Sequence, residues 1–515
     1  MSFLLMVFLT LVCLFDAYPP SIWQGSPVES LLSTAALLVL VALSAWGISW
    51  RIARTLAGDP SRRDVLLGWY ERARSYHHLL LLTLYVVALV LFGWGWTVRQ
   101  TWRWHGQELF GLELALLSPF LLGQVISWLF FYDADRAVQH ATHRLLEGEP
   151  FAAHWLESRS AAPFAHSGRF SYVLFQLRQK LALVFIPVLL LILQKELFRL
   201  LPQAPTSQWL MQTVGFVSLA VVFVGMPLLI RLVLGLRPLP AGPIRDRLEQ
   251  GVKRLGIRCS QLLLWSTRNG AANAMVIGLV PWLRYVVFTD RMLEEFTEEE
   301  IEAVLGHEIG HLRHQHMLFY LAVLVLSMWV LGLFAEQSVL PWLAVFGNQL
   351  AVWLPSWLPA QFGDMLAPGG SLAVFPVVGL LLLYIFVVFG FLSRRCERQA
   401  DVFGCRAVSC LDRHCTAHAP GTPLPSRGLG LCPTGIRTFI RALEKVALIN
   451  GISRDRPGFL QSWQHSSIAR RVAFLQQLLT DEDAEPLFQR QLFLLKLGTV
   501  LVLIVLLIIL TRIGS

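Results

Sequence analysis

The strongest chemical signal in the sequence is His307-Glu308-Ile309-Gly310-His311, an H-E-x-x-H motif. Thr297 followed three residues later by Glu300 forms a capping box, which predicts a helix start. Ile301, Val304, Leu305 and Leu312 then supply an apolar stripe at helical spacing. Residues four apart share one helix face, so His307 and His311 can bind one Zn²⁺ at roughly 2.0–2.1 Å each. Glu308 follows the first ligand and can reach a water in the open coordination position. A metal-bound water with its pKa lowered towards ~7, beside a carboxylate base, is the attacking group of a metallohydrolase.

A catalytic zinc needs a third protein ligand and keeps a fourth position open. His314 and His316 lie near, but the metzincin pattern requires glycine at 314 and histidine at 317, and the sequence has His314 and Met317. Both histidines are expected at the membrane interface, where the next apolar run begins. Glu397 and Asp401 lie four apart in Ser393-Arg394-Arg395-Cys396-Glu397-Arg398-Gln399-Ala400-Asp401, on one helix face. Glu397 can ligate a metal, and Asp401 can accept a hydrogen bond from a ligand imidazole and fix its tautomer. The same spacing also fits a solvated helix whose acids pair with nearby arginines.

The elements that must position these groups are largely membrane-spanning. Of 515 residues 55% are hydrophobic and only 15% charged, against ~25% charged in an average soluble protein. Apolar runs at 3–17, 30–50, 77–98, 112–131, 179–195, 211–234, 316–335, 371–392 and 491–511 predict about nine spans. Residues 339–360, interrupted by Pro341, Pro355 and Pro359, are expected to form an interfacial or luminal loop. The first run lacks the positive start of a signal peptide, so a short span is the favoured reading, with an uncleaved or cleaved signal as the runner-up. Arginines concentrate at 51–76, 132–178 and after Arg231, which puts 51–76, 132–178, 235–315 and 393–490 on the cytoplasmic side. The net charge of +9 follows from this bias, and no localised basic patch suggests nucleic acid as a partner.

The expected fold class is an α-helical polytopic membrane protein with a cytoplasm-side α+β zincin-type catalytic domain. Its parts are a transmembrane region (1–234), a first catalytic segment with the H-E-x-x-H helix (235–315), two spans with an outer loop (316–392), a second catalytic segment (393–490) and a final span (491–515). Within the first catalytic segment Arg245–Leu255 reads as an amphipathic helix, and Gln261–Trp265, Asn273–Gly278 and Tyr285–Thr289 read as strands. In the second, Ile436, Phe439, Ile440, Leu443 and Ala447 line one helix face that ends at Asn450-Gly451.

Four ordered motifs over about residues 240–480 resemble one family. They are an Asn-Ala strand, H-E-x-x-H, S-R-x-x-E-x-x-A-D, and a late His with an Arg six residues on. The family is the integral-membrane zinc metalloendopeptidases of the type I CAAX prenyl protease and the bacterial heat-shock membrane protease (HtpX-like gluzincins). The resemblance implies that His307, His311 and Glu397 ligate zinc, that Glu308 is the general base, and that Asp401 supports the ligands with Arg471. It implies that Asn273 holds the backbone of a substrate strand, and that His465 stabilises the oxyanion. Ser466 stands where the family has proline after that histidine. One catalytic zinc, a lipid bilayer, and membrane-protein or lipid-anchored peptide substrates follow, with a bacterial inner membrane as the expected setting. A signal-transducing protease that cleaves a cytoplasmic regulator would want a larger outer domain than about 336–370 supplies. A transporter or scaffold with a vestigial site would not need the intact set of two His, two Glu and an Asp.

The resemblance does not account for Cys405, Cys410, Cys415 and Cys432, with His414 and His418 among them. Four thiolates would close a second, structural zinc site. Inert loop thiols are the alternative, and the odd count of seven cysteines argues against a complete disulfide framework.

Overall fold

The computed structural model describes residues 12, 25–59, 62–104, 107–108, 111–147, 168–180, 184–200, 217, 224–267, 271–353, 374–412, 414–418, 430–455 and 466–513. The described chain is mostly helical. Among the described residues six helices are long and apolar enough to cross a membrane: Pro27–Gly58, Val65–Val90, Leu112–Ala141, His316–Leu343, Gly379–Ala407 and Ala484–Ile513. The expected runs at 3–17, 179–195 and 211–234 fall wholly or partly outside the described residues. One expectation is corrected: residues 340–353, read as loop, form the helix Leu340–Trp353. A π-turn at Ala335–Val339 joins it to the preceding helix without a break, so Pro341 lies inside a continuous helix just past a π-bulge, where the widened turn relieves the hydrogen bond that proline cannot make.

The N-terminal bundle is built from α1 (Pro27–Gly58), α2 (Arg63–Val90) and α3 (Leu112–Glu147). Leu31, Leu32, Leu40, Leu43 and Trp46 of α1 are exposed, as a lipid-facing surface requires. Polar contacts tie the bundle internally. Ser49 of α1 donates to Phe130 O (2.6 Å) on α3 and accepts from Ala134 N (3.1 Å). Asp135 of α3 accepts from Tyr70 (2.7 Å) and Arg74 (3.1 Å) of α2. Buried polar groups paired this way escape the penalty of an unsatisfied donor or acceptor.

A four-stranded sheet carries the first catalytic segment. Its strands are β1 (Arg237–Pro238), β2 (Gln261–Trp265), β3 (Ala274–Ile277) and β4 (Tyr285–Thr289), in the order β1-β2-β4-β3. Strand β4 is Tyr-Val-Val-Phe-Thr, β-branched and aromatic throughout and buried at every position, which suits a central strand. It pairs parallel with β2, Gln261 opposite Tyr285 and Trp265 opposite Thr289. It pairs antiparallel with β3, Ala274 opposite Phe288 and Ile277 opposite Tyr285. That leaves β3 at the sheet edge. The three strands fall within a residue of the positions read from alternation.

Helix α4 (Pro243–Arg254) packs under this sheet and anchors α5 (Glu298–Arg313). Arg254 donates to Glu302 Oε1 (2.5 Å) on α5 and to Ala407 O (2.7 Å). The capping box opens α5 as expected: Thr297 Oγ1 accepts from Glu300 N (3.3 Å), and Glu300 Oε2 accepts from Thr297 N (3.0 Å). Ile301, Ala303, Leu305 and Ile309 are fully buried along α5. Gln315, at φ 52°, then turns the chain into α6 (His316–Phe334). On the far side lie α7 (Gly390–Ala407), α8 (Pro433–Ile449) and α9 (Ile468–Thr480). The chain ends in α10 (Ala484–Ile513).

Helices α5 and α7 approach closely, and two glycines allow it. A Cβ on Gly306 would meet Ala407 Cβ at 2.3 Å, and one on Gly310 would meet Phe403 Cβ at 3.0 Å and Ala400 Cα at 3.1 Å. These glycines lie four apart, each immediately before a histidine of H-E-x-x-H. The small face of α5 is therefore adjacent to its imidazole face, and α7 rests on both.

Candidate metal centre

Helix α5 presents His307, Glu308 and His311; helix α7, continuous with the span Gly379–Ala407, presents Glu397 and Asp401. The two imidazoles converge through their Nε2 atoms, 3.3 Å apart. Glu397 Oε2 lies 3.8 Å from His307 Nε2, and Glu397 Oε1 lies 3.5 Å from His311 Nε2. One ligand atom from each of His307, His311 and Glu397 falls within 4.8 Å of the others. Two imidazoles and a carboxylate facing a common point fit a zinc ion. Carboxylate separation in sequence is thus bridged in space: two spans and the intervening segment bring residue 397 back to residue 307.

The second layer fixes each ligand. His307 Nδ1 lies 2.9 Å from Asp401 Oδ1, which orients Nε2 towards the common point. Burial disfavours the His307 imidazolium, but the Asp401 contact and charge outweigh it and raise the pKa above the ordinary imidazole value. Asp401 is completely buried and also accepts from Arg471 on α9, through Nε at 2.9 Å and through Nη2. Such a two-pronged pairing suits guanidinium geometry. Arg471 Nη1 reaches to 4.0 Å from Glu397 Oε2, so one cation serves both carboxylates. The Phe439 ring of α8 lies nearly parallel to His307, 5.8 Å between centroids, and closes the site's inner wall.

His311 is held by a chain that the sequence reading did not assign. His311 Nδ1 and His316 Nδ1 are 3.0 Å apart, and His316 Nε2 is 2.9 Å from Gln399 Oε1. If His311 ligates through Nε2, its Nδ1 carries the proton and donates to His316. His316 then has its own proton on Nε2 and donates to Gln399 Oε1, which also accepts from Lys496 Nζ (2.9 Å) on α10. Every donor meets an acceptor, so the tautomers are mutually consistent. His316 is fully buried and is the first residue of the span helix α6, where the next apolar run is expected to begin. The Gln399 position, two residues after Glu397, was the available signal.

Glu308 faces the sheet edge. The Val276 N–H of β3 donates to Glu308 Oε2 (3.3 Å), which joins the base to the edge strand. Asn273 sits exposed just before β3, with its backbone tied to Thr289: Asn273 N donates to Thr289 Oγ1 (2.9 Å), and Thr289 N donates to Asn273 O (3.0 Å). Asn450, read only as a helix terminator, clamps the preceding residue. Its Oδ1 accepts from Ala272 N (2.8 Å) and its Nδ2 donates to Ala272 O (2.7 Å). His465 lies outside the described residues. Its neighbour Ser466 has φ 64°, a backbone conformation that proline, locked near −65°, does not adopt.

The cysteines divide. Cys410, Cys415 and Cys432 come together, but with His418 rather than Cys405. Cys405 is fully buried in the apolar cluster with Val402, Ile436 and Phe439, so the expected four-thiol set is corrected.

Residues 238–477 match the model of peptidase family M48. Over 172 residues the chain is 30% identical to "Probable CAAX prenyl protease 1" of Schizosaccharomyces pombe, covering 32% of this chain and 33% of that protein. Over 190 residues it is 30% identical to "Protease HtpX homolog" of Pyrobaculum islandicum, covering 36% and 48%. Among solved structures, Ste24p of S. mikatae aligns at 16% identity and a TM-score of 0.47, covering 87% of this chain and 99% of that one. The matched segments span between a third and half the length of the curated relatives. The resemblance carried by the four motifs extends to both of these named protease groups and to the M48 family.

Proposed function

We propose that this protein is a membrane-embedded, zinc-dependent endopeptidase. The observation that carries the reading is the convergence of His307, His311 and Glu397 to within 4.8 Å, with Glu308 alongside and tied to an open sheet edge. Bound by those three ligands, zinc would supply a Lewis acid for the scissile carbonyl and would acidify a water. A substrate segment adds to the outer edge of β3, its backbone held in part by the Asn273 side chain. The Glu308 carboxylate takes the proton of the attacking water and passes it to the leaving amine nitrogen. Asp401 and Arg471 hold His307 in one tautomer, and the His316–Gln399 pair does the same for His311. His465 is assigned to the developing oxyanion.

Substrates of this reading are membrane proteins or lipid-anchored peptides. Its support is that α5 runs into one span through Gln315 and α7 is the end of another, so the centre opens where the chain leaves the apolar layer. The name of one relative, CAAX prenyl protease, points to lipid-anchored substrates. The catalytic unit is assembled from segments 235–315 and 393–490, facing the cytoplasm of a bacterial inner membrane; the arginine-rich segments support that orientation. The test is cleavage of casein and of a membrane-protein substrate by purified wild-type, Glu308→Gln and His307→Ala proteins, with and without a chelator. The reading expects cleavage by wild type alone, abolished by chelator. Wild-type cleavage that persists in Glu308→Gln, or is absent under every condition, would refute it.

A further inference from the structure

We propose that Cys410, Cys415, His418 and Cys432 hold a second zinc ion in a closed, structural site. The four residues follow one another with gaps of four, two and thirteen residues. Their donor atoms lie within 4.8 Å of one another. A tetrahedral zinc with Zn–S of ~2.3 Å and Zn–N of ~2.0–2.1 Å needs donor separations of roughly 3.4–3.8 Å, so closure asks for adjustments of about 1 Å or less. Cys432 Sγ and His418 Nε2 already stand 3.3 Å apart. Three thiolates and one imidazole favour zinc over the hard divalent ions. Three sulfurs cannot all be consumed in disulfides among themselves, and all three cysteines are free.

The surrounding backbone is organised around these sulfurs. Cys432 caps the N-terminus of α8 through its sulfur, which accepts from Gly435 N at 3.3 Å. N–H donors of this kind stabilise a thiolate. The Cys432 N–H donates to Ser409 Oγ (3.1 Å), and Ser409 Oγ donates to Cys405 O (2.7 Å) at the end of α7. Thr434 Oγ1 donates to Cys415 O at 3.1 Å. Gly430 lies so close that a Cβ there would stand 2.4 Å from Cys410 O. The stretch just past α7 and the stretch just before α8 are therefore pressed together with all four donors between them.

Zinc at this point fastens the start of α8 to the end of α7. Helix α7 carries Glu397 and Asp401, and α8 carries Phe439 against His307. The second site thus braces the wall of the first without touching it. The proposal stands on the cluster itself and does not depend on the protease reading.

The test loads the full-length, detergent-purified protein with Co²⁺, for wild type, His307→Ala and Cys415→Ser/Cys432→Ser. A thiolate-to-cobalt charge-transfer band in the near ultraviolet is expected in wild type and His307→Ala, and its loss in the double cysteine variant. The His307–His311–Glu397 set has no sulfur and cannot produce that band. Because the cysteine variant could misfold, alkylation of Cys410 and Cys415 is followed by mass spectrometry in zinc-loaded wild type with and without chelator. Protection that chelator removes supports the site. Absence of the band in cobalt-loaded wild type, or alkylation indifferent to chelator, overturns it.

Discussion

Substituting Gly306 by alanine would separate the two helices that build the metal centre. The new Cβ would stand 2.3 Å from Ala407 Cβ and 3.2 Å from Gly404 Cα, where carbon atoms prefer about 3.5–4.0 Å. Both near neighbours are small or backbone, with no side-chain end that can swing aside. Relief requires about 1.5 Å of relative movement between α5 and α7, the difference between the preferred and the imposed separation. Ligand distances at zinc tolerate about 0.2 Å, and Glu397 rides on α7. The expected result is a loss of zinc affinity of at least ~10–100-fold, the range seen when ligand support is disturbed, with about 1–3 kcal/mol of lost stability. Competition against a chromogenic chelator, in the Cys415→Ser/Cys432→Ser background so that one site is titrated, reads the first and thermal unfolding in detergent the second. Adding Ala407→Gly removes the Cβ–Cβ clash and should restore part of the affinity, though the Gly404 contact remains. Gly498→Ala, with nothing within 4 Å of the added Cβ, is the matched control and should bind zinc as wild type does. Wild-type affinity and melting temperature in Gly306→Ala would refute the claim that this contact sets the ligand spacing.

Arg471→Met leaves Asp401 buried without its cation and should cost about 3–5 kcal/mol in thermal unfolding; Arg471→Lys should rescue little, because an ammonium cannot make the two-pronged contact. Asn450→Ala removes both hydrogen bonds to Ala272 and should destabilise by about 1–3 kcal/mol. It should also raise KM for a peptide substrate more than it lowers kcat, since it loosens the approach to β3 and not the metal. Zinc must displace a proton from His307, whose pKa in the metal-free protein is raised. Zinc affinity, measured by competition across a pH series, should therefore fall by up to ~10-fold per pH unit below that raised value. The metal-free protein shows the opposite sign. Its His307–Asp401 contact adds stability below the unfolded imidazole pKa of ~6.5, and that stability is lost as pH rises through the folded value.

Local features were the legible ones. The capping box at Thr297 and Glu300, the three strands and the amphipathic α4 depend on near neighbours, and their sequence patterns mark them within a residue or two. His307 and His311 are legible as a pair because helical geometry puts residues four apart on one face. Glu397 needed the resemblance, since an acid pair four apart also suits a solvated helix. What the pattern could not give is contact between distant segments. Gly306 and Gly310 were visible as small residues, but their use becomes apparent only with Ala400 and Ala407 against them. His316 is legible as the head of a span because it opens an apolar run, but its packing inside the protein is not. Its burial depends on Gln399 and Lys496, which lie 83 positions or more away. Cys405 was grouped with the other cysteines by type. It sits on α7, where its side chain faces the apolar core, and His418 occupies the fourth corner instead. Residues 340–353 read as loop because of Pro341, yet the π-turn at Ala335–Val339 accommodates that proline within a continuous helix.

Zinc content of the Glu397→Ala protein, measured in the Cys415→Ser/Cys432→Ser background so that only one ion is counted, tests the coordination directly. The parent should carry one zinc per chain, and Glu397→Ala should lose it on dialysis, while Glu308→Gln keeps it. Retention of a full equivalent by Glu397→Ala, at the parent's affinity, would contradict the assignment of the third ligand and with it the account of how the two helices make one site.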